Sequence, residues 1–138
     1  MAGELLLDTD ALVSLLDRSQ RSHEKCARFF DAWEGPVVST EAVLTEATQL
    51  LGHVQGGRQS CLDFVLDGGA LLVPSTIPTL RRARELLEQY ADLPMDYADA
   101  TLVVLGEELG TDLVFRTDQR DSRVYRLRGR KRFRIVPD

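Results

Sequence analysis

The chain has 138 residues, 43% of them hydrophobic and 28% charged, with a formal net charge of −5. That is one domain with room for a real core and the composition of an ordinary globular protein, with no need of disulfide or metal staples. No apolar run approaches the roughly 20 residues that span a bilayer, and the N-terminus lacks the basic and long apolar stretches of a signal peptide.

In chain order, Leu5–Leu7 reads as a strand buried on both faces, followed by a helix from about Ala11 to Leu16. A second helix, Ser22 to Trp33, carries Cys26, Phe29, Phe30 and Trp33 at helical spacing, which makes these aromatics core rather than a stacking platform for bases. Gly35-Pro36 ends it, Val37-Val38 is a short strand, and Ser39-Thr40 caps a helix that runs to Leu51. Arg58 to Leu66 is helical, "ALLVP" from Ala70 is a strand, and Ile77 to Tyr90 is a helix broken by "ADLP". Asp96 opens another helix that ends near Gly110, "DLVFRT" is a strand, and "RFRIV" is the last. Strands alternating with helices give an α/β fold, with a parallel sheet covered on both faces, in a single domain over residues 1–138. Ligands of such sheets gather outside the carboxyl ends of the strands.

Acids fall at that rim. Asp8 follows the first strand directly in "LLLDTDAL", and Asp118 follows "DLVFR" in the same way. Glu46 lies three residues after Val43 and four before Leu50, on an apolar helix stripe where a lone carboxylate is costly unless paired or metal-bound. Asp99 precedes Leu102 and Val103 at the same spacings, and Asp96 stands three residues earlier, where a reciprocal helix cap and a metal shell are both open readings. Asp10 is expected to help cap the first helix, and Glu41 to complement a helix dipole. Several carboxylates in one cleft need a cation, and hard Mg²⁺ or Mn²⁺ prefers oxygen ligands. Such an ion activates water and clamps a phosphodiester.

The order and spacing of "LLLDTDAL", "STEAVLTEA", "LPMDYADATLVVLGEELG" and "DLVFRTDQRD" resembles the PIN domain family, and within it VapC-type toxins of toxin–antitoxin pairs. The resemblance covers essentially the whole chain. It implies a three-layer sandwich with a five-stranded parallel sheet, and Mg²⁺- or Mn²⁺-dependent endoribonuclease activity. It makes Asp8, Glu46, Asp99 and Asp118 the four catalytic, metal-holding acids, with Asp96 an auxiliary metal ligand. Thr9 and Thr117 would orient carboxylates or water. Ser122 departs from the family's usual aromatic residue, which leaves the division of labour between Asp118 and Asp121 open. The implied partners are an RNA substrate (tRNA, rRNA or mRNA), a cognate antitoxin that blocks the acidic cleft, and a second copy in a homodimer. No membrane is implied.

Cys26 and Cys61 are not spaced as a metal or redox pair, which fits a reduced, cytoplasmic setting. "LLLDTDALV" also approximates the opening of haloacid-dehalogenase phosphatases, but these need a lysine between their second and last motifs, and the only lysines are Lys25 and Lys131. A catalytically silent PIN-like module that binds RNA or protein is a third reading, which inward acids argue against. His23 and His53 read as structural or exposed, and Ser39 has no His–acid partnership for nucleophilic chemistry. From Arg116 to Arg134, nine basic residues face two acids, so this arc carries +7 and the remainder −12. An arc of that kind either contacts RNA backbone or is a solvated surface.

Overall fold

The computed structural model describes residues 3–117, 126–127 and 131–137. Strand β1 (Leu5–Leu7) occupies the centre of a five-stranded sheet. It pairs in parallel with β2 (Val37–Ser39) on one side and β4 (Leu113–Phe115) on the other. Beyond them lie β3 (Leu71–Leu72) and β7 (Arg134–Val136), so the order is β3-β2-β1-β4-β7 and every pairing is parallel. A separate antiparallel pair joins β5 (Arg126–Leu127) to β6 (Lys131–Arg132).

Three consecutive leucines are needed because successive side chains of a strand point to opposite faces, and both faces here are covered. Leu6 packs with Val38, Val103, Val114 and Leu86 on one side. Leu5 and Leu7 pack with Leu12, Cys26, Leu51, Cys61 and Phe115 on the other. The first side is closed by α5 (Ile77–Gln89) and α6 (Tyr97–Leu109), the second by α1 (Thr9–Leu16), α2 (His23–Ala32) and α4 (Gly57–Leu66). Helix α3 (Glu41–Leu50) sends Val43 to the first cluster and Ala47 to the second, so it bridges the two layers. The result is the α/β three-layer sandwich expected from the sequence.

Local chemistry sets the helix boundaries. Thr40 caps α3 through the Val43 N–H, Thr76 opens α5 with a reciprocal cap, and Gly110 ends α6 at φ +70°, a conformation that favours glycine. Phe29 stacks on Trp33 at 6.1 Å and meets Phe115 at 5.1 Å, and Phe30 meets Phe64 at 5.5 Å, so the aromatic residues of α2 are core. Cys26 and Cys61 are both buried free thiols. No helix among the described residues is long and apolar enough to cross a membrane.

Candidate active site

Asp8 emerges where β1 meets α1 and serves as the helix N-cap. Its N–H donates to the Phe115 carbonyl of β4 at 3.1 Å, and its Oδ1 accepts the Thr9 N–H at 2.7 Å. Arg116 leaves β4 at the same rim, its N–H held by the Val136 carbonyl at 2.9 Å. Adjacent parallel strands therefore place a carboxylate beside a guanidinium. Arg116 Nη1 lies 2.9 Å from Asp8 Oδ2 and 3.7 Å from Asp99 Oδ1, while its Nε lies 3.7 Å from Asp10 Oδ2. The Arg116 side chain is only 11% exposed. Leu102, Val103, Val114 and Phe133 form the apolar floor beneath Asp8, Asp99 and Arg116.

Asp99 sits in the first turn of α6, whose N-cap is Asp96. Asp96 Oδ1 accepts the Asp99 N–H at 2.8 Å, and Asp99 Oδ2 accepts the Asp96 N–H at 3.1 Å, so both acids form a capping box. Asp99 Oδ1 remains directed at Arg116. Glu46, half-buried on α3, lines an open groove with Glu41, Thr45, Gln49, Asp96 and Tyr97.

Burial shifts these acids. The Asp8 carboxyl is pushed up to about 7 by loss of hydration, with Asp10 and Asp99 adding to the rise and Arg116 opposing it. Asp99 is likewise pushed up to about 7, first by burial, with Asp96 adding and the Asp96 N–H and Arg116 opposing. Glu46 is raised by burial and by neighbouring Asp96, and Thr9 and Arg116 oppose the rise. The Thr9 hydroxyl is near enough to Glu46 to act on it, yet Oγ1 is buried with no formed hydrogen bond among the described residues.

These groups suit a hard divalent cation by donor type, all being oxygens, and beside them the buried Thr9 hydroxyl forms no hydrogen bond among the described residues. As arranged, no three of the described acids stand close enough to share one ion. The nitrogen between Asp8 and Asp99 is Arg116 Nη1.

Among the predicted acids, Asp8 and Asp99 both approach Arg116, Asp96 is tied to Asp99 by the capping box, and Glu46 lies on the adjoining groove. Asp118, Asp121 and Ser122 lie outside the described residues. Two details are corrected. Asp10 is not the cap of α1, which is Asp8 itself; Asp10 Oδ1 instead accepts the Thr117 N–H at 3.0 Å, tying the exit of β4 to α1. The helix stripe that places Glu46 inward is formed by Val43 and Ala47, since Leu50 is 51% exposed at the helix end. Arg116, grouped by sequence with the basic C-terminal arc, points into the acids. The hint was its place at the exit of a core strand, one residue before "TD". His23 bonds the Ser14 carbonyl at 2.7 Å, His53 is exposed beside Asp17, and Ser39 Oγ donates to the Leu7 carbonyl at 2.8 Å.

A parallel sheet in this order, with acids on the rims of β1 and α6, invites comparison with known proteins. Residues 5–127 match the PIN domain family. The chain belongs to that family. PIN membership replaces the haloacid-dehalogenase phosphatase alternative. Ribonuclease VapC26 of Mycobacterium tuberculosis (strain ATCC 25618 / H37Rv) is 24% identical over 135 residues, 96% of this chain and 100% of the relative. The crystal structure of Mycobacterium tuberculosis VapC20, a Sarcin-Ricin loop cleaving toxin, superposes with a TM-score of 0.75 at 19% identity, covering 86% of this chain and 92% of VapC20. A toxin–antitoxin complex from Klebsiella pneumoniae gives 0.65 at 15% identity over 96% of each chain. These two likenesses establish the shared PIN fold.

Proposed function

We propose that this PIN protein is a VapC-type endoribonuclease, the toxin of a type II toxin–antitoxin pair, acting in the cytoplasm with Mg²⁺ or Mn²⁺. The observation that carries the reading is the convergence of Asp8 and Asp99, from β1 and α6, on one point at the carboxyl ends of the strands. Their burial there costs hydration that a purely structural site would have little reason to spend. The likeness to VapC26 along the whole chain supports RNA as the substrate class.

In this reading Asp8, Glu46 and Asp99 hold the cation, Asp96 assists while capping α6, and Asp118 is the fourth acid. When bound, a divalent cation supplies Lewis acidity, lowering the pKa of water and neutralising charge on the phosphodiester. The chain's part is positioning. The Thr9 N–H fixes the Asp8 carboxylate, the capping box fixes Asp99, and the apolar floor of Leu102, Val103, Val114 and Phe133 bars water from below. RNA enters along the groove between α3 and the start of α6, and hydrolysis leaves a 5′-phosphate and a 3′-hydroxyl. The Klebsiella pneumoniae toxin–antitoxin complex supports a cognate antitoxin as partner, and a homodimer completes the proposal.

The test is cleavage of total cellular RNA by the purified chain with Mn²⁺ or with EDTA. Cleavage should require Mn²⁺ and vanish in Asp8→Ala and Asp99→Ala. Cleavage that survives EDTA in both variants would overturn the metal mechanism. An inert native chain that Mn²⁺ does not stabilise thermally would mark a silent binding module instead.

A further inference from the structure

Arg116 carries a consequence beyond the acid cluster itself. A single atom, Nη1, approaches carboxylate oxygens of both Asp8 and Asp99, and Nε approaches Asp10, so one guanidinium faces acids from two separate elements. Its backbone is fixed by the Val136 carbonyl at 2.9 Å, and its side chain is nearly buried. The guanidinium reaches this position from the strand neighbouring Asp8, so no partner chain is needed to deliver it.

We propose that Arg116 is a resident counter-cation of the acid cluster, which a divalent ion must displace before Asp8 and Asp99 can share that ion. The inference rests on the metal-dependent reading above. Its physical basis is competition for the same oxygens. The contact at 2.9 Å is a close, largely buried ion pair, and it must be given up when the carboxylate turns to a metal. A guanidinium left beside a bound divalent cation is also repelled by it. Arg116 therefore lowers the affinity of the site for metal while stabilising the metal-free fold. It makes the site respond to metal as an exchange of one cation for another rather than as filling of an open cage. Arg116 is thus a positioning residue for the acids, acting through them.

Mn²⁺ titration calorimetry on the full native chain, Arg116→Gln and Arg116→Lys, with thermal melts of each in EDTA, tests this. Arg116→Gln should bind Mn²⁺ at least about tenfold more tightly, the order of one close, largely buried ion pair no longer given up, and its EDTA melting temperature should fall. Arg116→Lys, which keeps a positive charge, should stay closer to native in both measurements and shows that loss of the charge, not of the fold, is responsible. Equal Mn²⁺ affinity in the native chain and Arg116→Gln, or weaker affinity in the variant with circular dichroism unchanged, overturns the counter-cation role and leaves metal binding intact. If neither the native chain nor the folded variants bind Mn²⁺, the metal-dependent reading itself falls, and this inference with it.

Discussion

Asp96 and Asp99 each accept the other's backbone N–H, at 2.8 and 3.1 Å, across the first turn of α6. The two acids are therefore bound to one another structurally while only Asp99 also faces Arg116. Their contributions separate by substitution. Asp96→Ala removes the cap and should cost about 1 kcal/mol of stability, whereas Asp96→Ser, itself a good cap, should recover most of it. Urea unfolding reads this difference. Cleavage by Asp96→Ser should fall about tenfold if the acid only assists at the metal, whereas Asp99→Asn should lose 10²-fold or more, the scale of removing one preorganised electrostatic group. Full activity in Asp99→Asn would remove that residue from the catalytic set.

The raised carboxyls set the pH response of the metal-free protein. Asp8 and Asp99 ionise near 3.8 in the unfolded chain but at about 7 in the fold. Between those values the unfolded chain has lost protons that the folded chain keeps, so the folded state binds more protons and its stability falls as pH rises. The stability these two groups contribute is present below about pH 4 and is lost progressively up to about pH 7. In EDTA, the melting temperature should thus be higher at pH 5 than at pH 8. Mn²⁺ should reverse the order, because metal binds the deprotonated ligands and stabilises more at high pH. In Asp8→Asn/Asp99→Asn the EDTA difference should largely vanish. A native profile that rises from pH 5 to pH 8 without metal would contradict the placement of these acids.

Local features were legible in the sequence, and cross-chain ones were not. Thr40 and Asp96 are caps whose partners lie within three residues, so spacing alone exposes the starts of α3 and α6. The leucine triplet of β1 shows a strand buried on both faces for the same reason. Asp10 and Arg116 resist such reading because their partners are set by strand order. Asp10 bonds Thr117, 107 positions away, only because β1 and β4 are neighbours in register Leu7 to Phe115. The same pairing turns Arg116 from a member of a basic arc into the counter-ion of Asp8. Leu50 misled for a different reason: periodicity marks it as inward, but α3 ends there and half of its surface stays exposed.

The central strand makes a sharp stability prediction. Leu6 is fully buried between Val38 of β2 and Val114 of β4, in a layer shared with Leu86 and Val103. Leu6→Ala leaves a cavity whose walls belong to paired strands that relax little, and should cost about 3 kcal/mol. Leu66, on α4 with 80% of its surface exposed, should lose less than about 0.5 kcal/mol as Leu66→Ala. Denaturant titration of both variants measures the contrast. Equal losses would mean that the sheet centre is not where the packing energy lies.

The basic C-terminal arc can be tested by salt. Arg116 is committed to the acid cluster and Arg134 bonds Asp112 at 3.0 Å from an exposed position, while Arg132 is exposed. The arc therefore offers RNA fewer free cations than its nine basic residues suggest, and its electrostatic pull should be moderate. Binding of a labelled RNA to the cleavage-deficient Asp8→Ala chain, followed from 50 to 200 mM salt, reports how many phosphates are neutralised, since each contributes about −0.7 to the log–log slope for single strands. A slope of about −2 to −3 is expected, reduced in magnitude by about 0.7 in Arg132→Ala. A flat response would show that the arc is a solvated surface and that RNA is held by the groove alone.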